Sequence, residues 1–320
     1  MHDVIIIGSG PAGLTAAIYT ARARRSTLVV AGPVAGGQAG TTAEIENYPG
    51  FKDGVNGFEL METMQDQARR FGAEVVMDVV KAVDLNQHPF TITTHAQNYQ
   101  ARALIIATGA TPRKLGVPGE TEYLGRGVSY CATCDGFFYR DLPVAVVGGG
   151  NSALEEANYL TRLASRITVI HRRDRLRAEP ILQERAERSG KVDFIWDTVV
   201  TAIEGDDSGV KSLRLRHLKT GAESTLAIEG VFIYVGMTPN TELFRGQLTL
   251  DEGGYIVTDR HQRTSVPGVF AAGDVQDRLY QQVAVAVGTG AVAGMAADRF
   301  IAELEDRAYP ERGMAFAAPS

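Results

Sequence analysis

Twice in 320 residues this chain runs from a short apolar segment through a glycine-rich turn directly into a helical pattern. The first instance is Val4-Ile5-Ile6-Ile7, then Gly8-Ser9-Gly10-Pro11-Ala12-Gly13, then helical periodicity from Leu14 to Arg24 and a second apolar run at Thr27–Val30. The second is Val144-Ala145-Val146-Val147, then Gly148-Gly149-Gly150-Asn151-Ser152-Ala153, a helix expected over 154–165, and Ile167–Ile170. A four-residue apolar run bounded by glycine reads as a buried parallel strand, and the sequence strand–turn–helix–strand is a βαβ unit. Its repetition predicts an α/β chain of two Rossmann-like, three-layer nucleotide-binding domains. Further strands are expected at Leu104–Gly109, Val231–Gly236 and Val269–Asp274. Pro112 and Pro118 punctuate the stretch after the first of these, which reads as a linker. The simplest layout inserts the second domain, 115–245, into a first formed by 1–114 and 246–320.

The first turn has the spacing of a dinucleotide fingerprint. Gly8 permits the tight turn, Gly10 lets the backbone approach a pyrophosphate, and Gly13 allows close helix–strand packing. The bland alternative is a tight turn with no ligand. The acid expected about 20 residues on, for a ribose hydroxyl, is missing. The second strand leads instead into Val30-Ala31-Gly32, which disfavours a nicotinamide nucleotide here. The second unit continues into His171-Arg172-Arg173, with Arg177 nearby. Cations at the end of this strand suit a 2′-phosphate, so NADPH is assigned to the second domain, on Gly148, Gly149, Gly150, Asn151, Ser152, Ala153, His171, Arg172, Arg173 and Arg177. The competing reading is a solvated basic surface.

Only two cysteines occur, in Cys131-Ala132-Thr133-Cys134-Asp135. A secreted disulfide scaffold uses more, at longer spacing. Two-residue spacing lets both sulfurs meet on one helical turn. A helix N-terminus there would favour a reactive thiolate, and Asp135 could exchange a proton with the thiol. Half a zinc site or two inert thiols are the alternatives, and no second CxxC supports the former. A net charge of −6 gives no reason to expect nucleic acid or an anionic membrane as partner. The N-terminus lacks a basic n-region, and no run of about 18 apolar residues predicts a membrane-spanning helix. A cytoplasmic protein is expected. Tyr309–Ser320 shows no periodicity and is expected to be mobile.

Together these motifs resemble bacterial low-molecular-weight thioredoxin reductases, from Asp3 to about Leu304. Gly36-Gly37-Gln38, Glu46-Asn47-Tyr48-Pro49-Gly50 and Gly268–Asp274 also match. The resemblance implies FAD in the outer domain, on Gly8, Ser9, Gly10, Pro11, Ala12 and Gly13, with Gly36, Gly37, Gln38 and Asn47 lining the flavin. It further implies the backbone near Val80 at the adenine, Ala107, Thr108, Gly109, Gly273 and Asp274 along the cofactor, and Gln282 and Val283 near its ring. The family often carries Arg where this chain has Gln281. By the same resemblance Cys134 is the flavin-proximal sulfur, Cys131 attacks the protein substrate, and Phe137, Phe138 and Arg126 fall where thioredoxin docks. The implied cycle carries electrons from NADPH through FAD and the Cys131–Cys134 disulfide to thioredoxin, in a homodimer. Nicotinamide site and cysteines share one domain while the flavin lies on the other. The inserted domain is therefore expected to rotate about linkers near 112–118 and 240–248. The rival readings are a flavin reductase of another disulfide and a CxxC flavin oxidase.

Overall fold

The computed structural model describes residues 1–42 and 44–306, so the C-terminal stretch from Tyr309 lies outside the described residues. It divides into two compact units, one running from Met1 to Ala110 and resuming at Pro239, the other Thr111–Thr238. The first unit opens with β1 (His2–Ile7), α1 (Pro11–Arg22), β2 (Thr27–Val30), α2 (Gly37–Gly40) and α3 (Gly57–Arg70). Then come β3 (Glu74–Val76), β4 (Val80–Asp84), β5 (Phe90–Thr94) and β6 (Asn98–Ile106). The chain leaves by β7 (Ala110–Pro112). The second unit comprises β8 (Val128–Ser129), α4 (Ala132–Asp135), β9 (Pro143–Gly148), α5 (Asn151–Leu160), β10 (Arg166–Ile170), α6 (Pro180–Arg188) and β11 (Val192–Ile195). It continues with β12 (Thr198–Asp206), β13 (Gly209–His217), β14 (Glu223–Ala227) and β15 (Gly230–Tyr234). The chain returns through β16 (Met237–Pro239), which pairs with β7, and ends its described part with β17 (Val269–Ala271) and α7 (Val283–Leu304).

In the first unit β3, β2, β1 and β6 are parallel neighbours. The long β6 pairs through its first half with antiparallel β5 and through its last half with parallel β17. Val4 and Ile6 face α1 and α7, among Ala16, Ala17, Ala293 and Ala297, whose small side chains let the two helices close on the sheet. Ile5, Ile7 and Ile106 face the other way, onto Phe90, Ile92 and Phe244. Phe244 is fully buried there, so the chain after Pro239 belongs to this core.

The α7 helix bears on one expectation. Its 22 residues are long and apolar enough, by length and composition alone, to cross a membrane. One face nevertheless packs in the core through Ala293, Ala297 and Ile301, and Asp298 pairs with Arg25 at 2.6 Å. These are properties of a helix built into a folded unit.

The second unit holds a fully parallel sheet, β11-β10-β9-β15-β8. Its one face carries α5 and α6 through Leu154, Leu160 and Leu182; its other face carries the antiparallel β12-β13-β14 layer through Ile203, Leu213 and Leu215. That gives three layers: helix, parallel sheet, antiparallel sheet. Both α1 and α5 begin earlier and end sooner than their periodicity suggests. The α5 helix stops at Leu160 because Arg162 and Leu163 donate to carbonyls only three residues back, closing a tight turn.

Candidate active site

The two cysteines form a disulfide, with Cα atoms 5.3 Å apart. Cys131 is the N-cap of α4 and its sulfur accepts the Cys134 N–H at 3.1 Å. A donor aimed at one sulfur of the pair favours that sulfur as the thiolate once the bond opens. Ser129 pins the turn: its hydroxyl accepts the Cys131 N–H at 3.0 Å and donates to Asp135 Oδ2 at 2.7 Å. Asp135 is thereby held one residue past Cys134, while the side chains of Phe137 and Phe138 are 66% and 74% exposed and meet edge to face. Exposed aromatic pairs of this kind are uncommon on a monomer surface and suit a protein contact. Arg126 is exposed; its guanidinium stacks over Tyr123 and donates to the carbonyls of Glu122 and Asp207. Among the described residues no group of three or more His, Cys, Asp or Glu could hold a metal ion, so the half-zinc alternative finds no partner ligands.

The turn after β9 lies against the same parallel sheet. A Cβ on Gly148 would sit 2.4 Å from the Tyr234 carbonyl oxygen, and one on Gly149 would sit 2.5 Å from the His171 ring. A Cβ on Gly150, by contrast, would meet nothing within 4 Å. Gly150 caps α5 without any side-chain hydrogen bond, leaving first-turn N–H groups for an anion. His171 does not join the exposed basic group. It is buried, and burial first, then Arg177, Arg173 and Arg172, push its imidazole below its ordinary range, so it is a neutral wall beneath Gly149. Arg172, Arg173 and Arg177 stay exposed, and the Arg177 N–H donates to the Gly149 carbonyl at 2.7 Å. Asn151 uses its side chain to clamp this segment, exchanging hydrogen bonds with Glu179 at 2.8 and 3.1 Å.

In the first unit, a Cβ on Gly8 would fall 2.2 Å from the Ala107 carbonyl oxygen and one on Gly13 2.0 Å from that of Gly8. Gly10 is open, and it caps α1 with no side-chain bond. Ser9 spends its hydroxyl internally, donating to Ala31 and accepting the Gly36 N–H. Thr108 and Gly109 are zipped to Asn240 by three hydrogen bonds of 2.8–3.0 Å. Asn47 donates to Gln282 at 2.9 Å, joining two expected flavin-lining residues 235 positions apart. Gly36 and Gly37 precede Gln38 at the start of α2, and Val283 packs against the cluster that contains Leu14. Val80 pairs with Thr94 and packs against the core cluster that contains Val30. Burial, with Asp277 adding to it, pushes the Asp274 carboxyl up to about 6. Asp277 itself collects the N–H groups of Leu279, Tyr280 and Gln281, and Gln281 reaches the Tyr255 hydroxyl at 3.4 Å.

Residues 2–290 match the family of pyridine nucleotide-disulphide oxidoreductases. The chain belongs to that family. Family membership brings a flavin and a pyridine nucleotide, and the two uncapped helix starts behind glycine turns fit two dinucleotides. A curated relative, the thioredoxin reductase of Streptomyces coelicolor, is 51% identical over 98% of both chains. The structure of Lactococcus lactis thioredoxin reductase in its FR conformation is 46% identical, with a TM-score of 0.92 over 95% of this chain and 100% of that one. The structure of T. acidophilum thioredoxin reductase is 38% identical, with a TM-score of 0.89 over 93% of this chain and 98% of that one.

For a disulphide oxidoreductase, three residues near the sulfurs escaped the sequence reading: Ser129, Glu156 and Tyr234. Ser129 and Tyr234 carry no motif. Glu156 does leave a trace, because it lies three residues after Ala153 and four before Leu160, on the buried stripe of α5.

Proposed function

We propose that this chain is an NADPH-dependent, FAD-containing reductase of thioredoxin, working in the cytoplasm. The observation that carries it is the disulfide in the turn at α4, on the same unit as a glycine turn whose Gly149 carbonyl accepts the Arg177 N–H and that shares His171 with the exposed Arg172 and Arg173. A CxxC flavin oxidase has no use for that basic group, and the names of the relatives favour thioredoxin over another disulfide. The first unit, from Met1 to Ala110 with the segment from Pro239, is the FAD-binding domain; the second is the NADPH-binding domain.

When bound, the nicotinamide and flavin supply hydride and two-electron chemistry. The chain's own residues do the rest. Uncapped N–H groups behind Gly10 and Gly150 hold pyrophosphates, and Arg172, Arg173 and Arg177 hold the 2′-phosphate. Asp274, half-buried and with its carboxyl pushed up to about 6, is still mostly ionised at physiological pH and would accept a hydrogen bond from the ribityl chain. Asn47, Gln38 and Gln282 line the ring. Once the disulfide is open, Cys131 as thiolate attacks the disulfide of thioredoxin, favoured by the N–H that points at it, and Cys134 resolves the mixed disulfide. Asp135, held by Ser129, supplies the proton. Phe137, Phe138 and Arg126 form the docking surface. The nicotinamide site and the disulfide belong to one unit and the flavin site to the other. Serving both half-reactions calls for rotation of the NADPH-binding unit about the paired connections β7 and β16.

The purified protein should be yellow, be bleached by NADPH far better than by NADH, and reduce thioredoxin. Cys134→Ser should lose turnover and keep FAD; a variant that still reduced thioredoxin would refute the assignment.

A further inference from the structure

Under the redox turn lies a carboxyl that the steps above leave unused. Glu156 rises from α5 among the buried side chains of Ala153, Ala157 and Leu160. Its carboxyl faces the backbone N–H groups of Ala132 and Thr133, the residues between the two cysteines, and the hydroxyl of Tyr234 on β15. That hydroxyl also accepts the Ala132 N–H at 2.9 Å. One oxygen of the carboxyl, Oε2, is buried with no hydrogen-bond partner. A buried carboxylate with one bare oxygen is costly, whereas the protonated acid is not.

The surroundings point the same way. Burial first, then Glu155, push the Glu156 carboxyl up to about 7, against the pull of the Ala132 and Thr133 amides and Tyr234. Tyr234 is pushed above its ordinary range by burial, then by Glu156, with Asp135 adding to it. Tyr139, beyond the turn, is pushed up by burial and by Asp135. The charged side chains that shift these three groups, Glu155, Glu156 and Asp135, are all acids, while Arg140 at the end of the turn after α4 lies over the Phe137 ring. An anion added at the cysteines adds to the charge of these carboxyls.

We propose that Glu156, seated with Tyr234 beneath the amides of Ala132 and Thr133, is a positioning residue for the disulfide–dithiol exchange: neutral, it permits a Cys131 thiolate; ionised, it opposes one. The inference rests on the disulfide-reductase reading above. Opening the disulfide breaks the S–S bond and takes up two electrons and two protons, giving two thiols. The Cys131 thiol then loses one proton to water. Uptake of a proton by Glu156 at that point keeps the charge under the turn constant, and the two ionisations are coupled. When Cys131 attacks the partner disulfide, one S–S bond forms as another breaks. The charge departs on the partner's thiolate, and Glu156 is free to release its proton.

The test uses the FAD-loaded enzyme, reduced anaerobically with NADPH. Alkylation of Cys131 by iodoacetamide is followed against pH, with mass spectrometry to identify the modified cysteine. The unsubstituted enzyme should show a broad rise carrying two coupled ionisations. Glu156→Gln keeps the shape and cannot ionise, so its profile should collapse to one step at lower pH, with roughly three- to tenfold faster alkylation near neutrality. Tyr234→Phe removes the hydroxyl that favours the carboxylate. It should move the profile in the same direction by less and keep two steps, which gives a second reading if the glutamine variant folds poorly. A Glu156→Gln profile that is unmoved, or scaled down equally at every pH, overturns the proposal and leaves Glu156 a packing residue. Flavin bleaching and thioredoxin reduction recorded on the same unsubstituted enzyme judge the functional reading separately.

Discussion

Gly149→Ala and Gly150→Ala together test whether the turn after β9 is a dinucleotide cradle. The two glycines are adjacent yet meet opposite surroundings. An alanine Cβ at 149 would lie 2.5 Å from Cε1 and Nδ1 of His171 and 2.7 Å from its Cγ, roughly 1 Å inside an ordinary contact. The ring has little room to withdraw. It is buried and edge-on to Trp196, and the His171 backbone is tied to Ile195 and Thr198 at 2.9 and 3.0 Å. Overpacking of this kind costs about 1–3 kcal/mol. His171 leads directly into Arg172 and Arg173, and the Gly149 carbonyl holds the Arg177 N–H, so the shift also misplaces the cations. Carried into binding, that cost raises the KM for NADPH by roughly 5- to 100-fold and lowers the unfolding temperature. At Gly150 the added Cβ meets nothing within 4 Å and φ is −101°, which alanine adopts freely. Gly150→Ala should therefore leave thermal unfolding unchanged and weaken NADPH alone, by crowding the pyrophosphate. Stopped-flow flavin bleaching against NADPH concentration, with thermal unfolding of each variant, reads both. Unchanged NADPH dependence in Gly150→Ala would refute the cradle. Unchanged stability in Gly149→Ala would refute His171 as its wall.

Three further outcomes are expected. Arg172→Gln and Arg173→Gln should each raise the KM for NADPH roughly 10- to 150-fold, the worth of one charge-assisted contact, without changing that for NADH; equal effects on both nucleotides would remove the 2′-phosphate assignment. Asp274→Asn should stabilise the apoprotein at neutral pH while weakening FAD retention. The folded-state pKa is raised from 3.8 to about 6, so ionisation destabilises the fold; the gain of about 3 kcal/mol, full above pH 6, should fade as pH falls through 6 and vanish below 3.8 in denaturant titrations. Glu120→Ala should cost about 2–4 kcal/mol in the second unit, because Glu120 is buried and accepts from the N–H groups of Leu115 and Gly116 and from the Tyr130 hydroxyl at 2.7–2.8 Å; an unfolding midpoint unchanged from the parent would contradict this.

What could be read from the chain alone was local. A strand, a glycine turn and a helix lie within about twenty residues, and each glycine's duty is to a neighbour close in sequence, as Gly13 is to Gly8. The cysteine spacing and the basic run after β10 are equally local. The β12–β14 layer was missed because its pairing depends on strands whose alternation is broken by bulges at Val200 and Glu204. The role of His171 was misread for a related reason. Its position beside three arginines suggests a ligand, and only the fold shows it turned inward under Gly149. Glu120 and Glu156 make the sharpest case. Both are single acids in unremarkable stretches, and both end up under the second unit's surface. Glu120 is met by three donors and belongs to the architecture. Glu156 keeps one buried oxygen bare beside the redox turn. Whether a buried acid is scaffold or chemistry is decided by how fully its oxygens are met. Those partners come from segments up to about a hundred residues apart, as Ala132 and Tyr234 are, which no local pattern encodes.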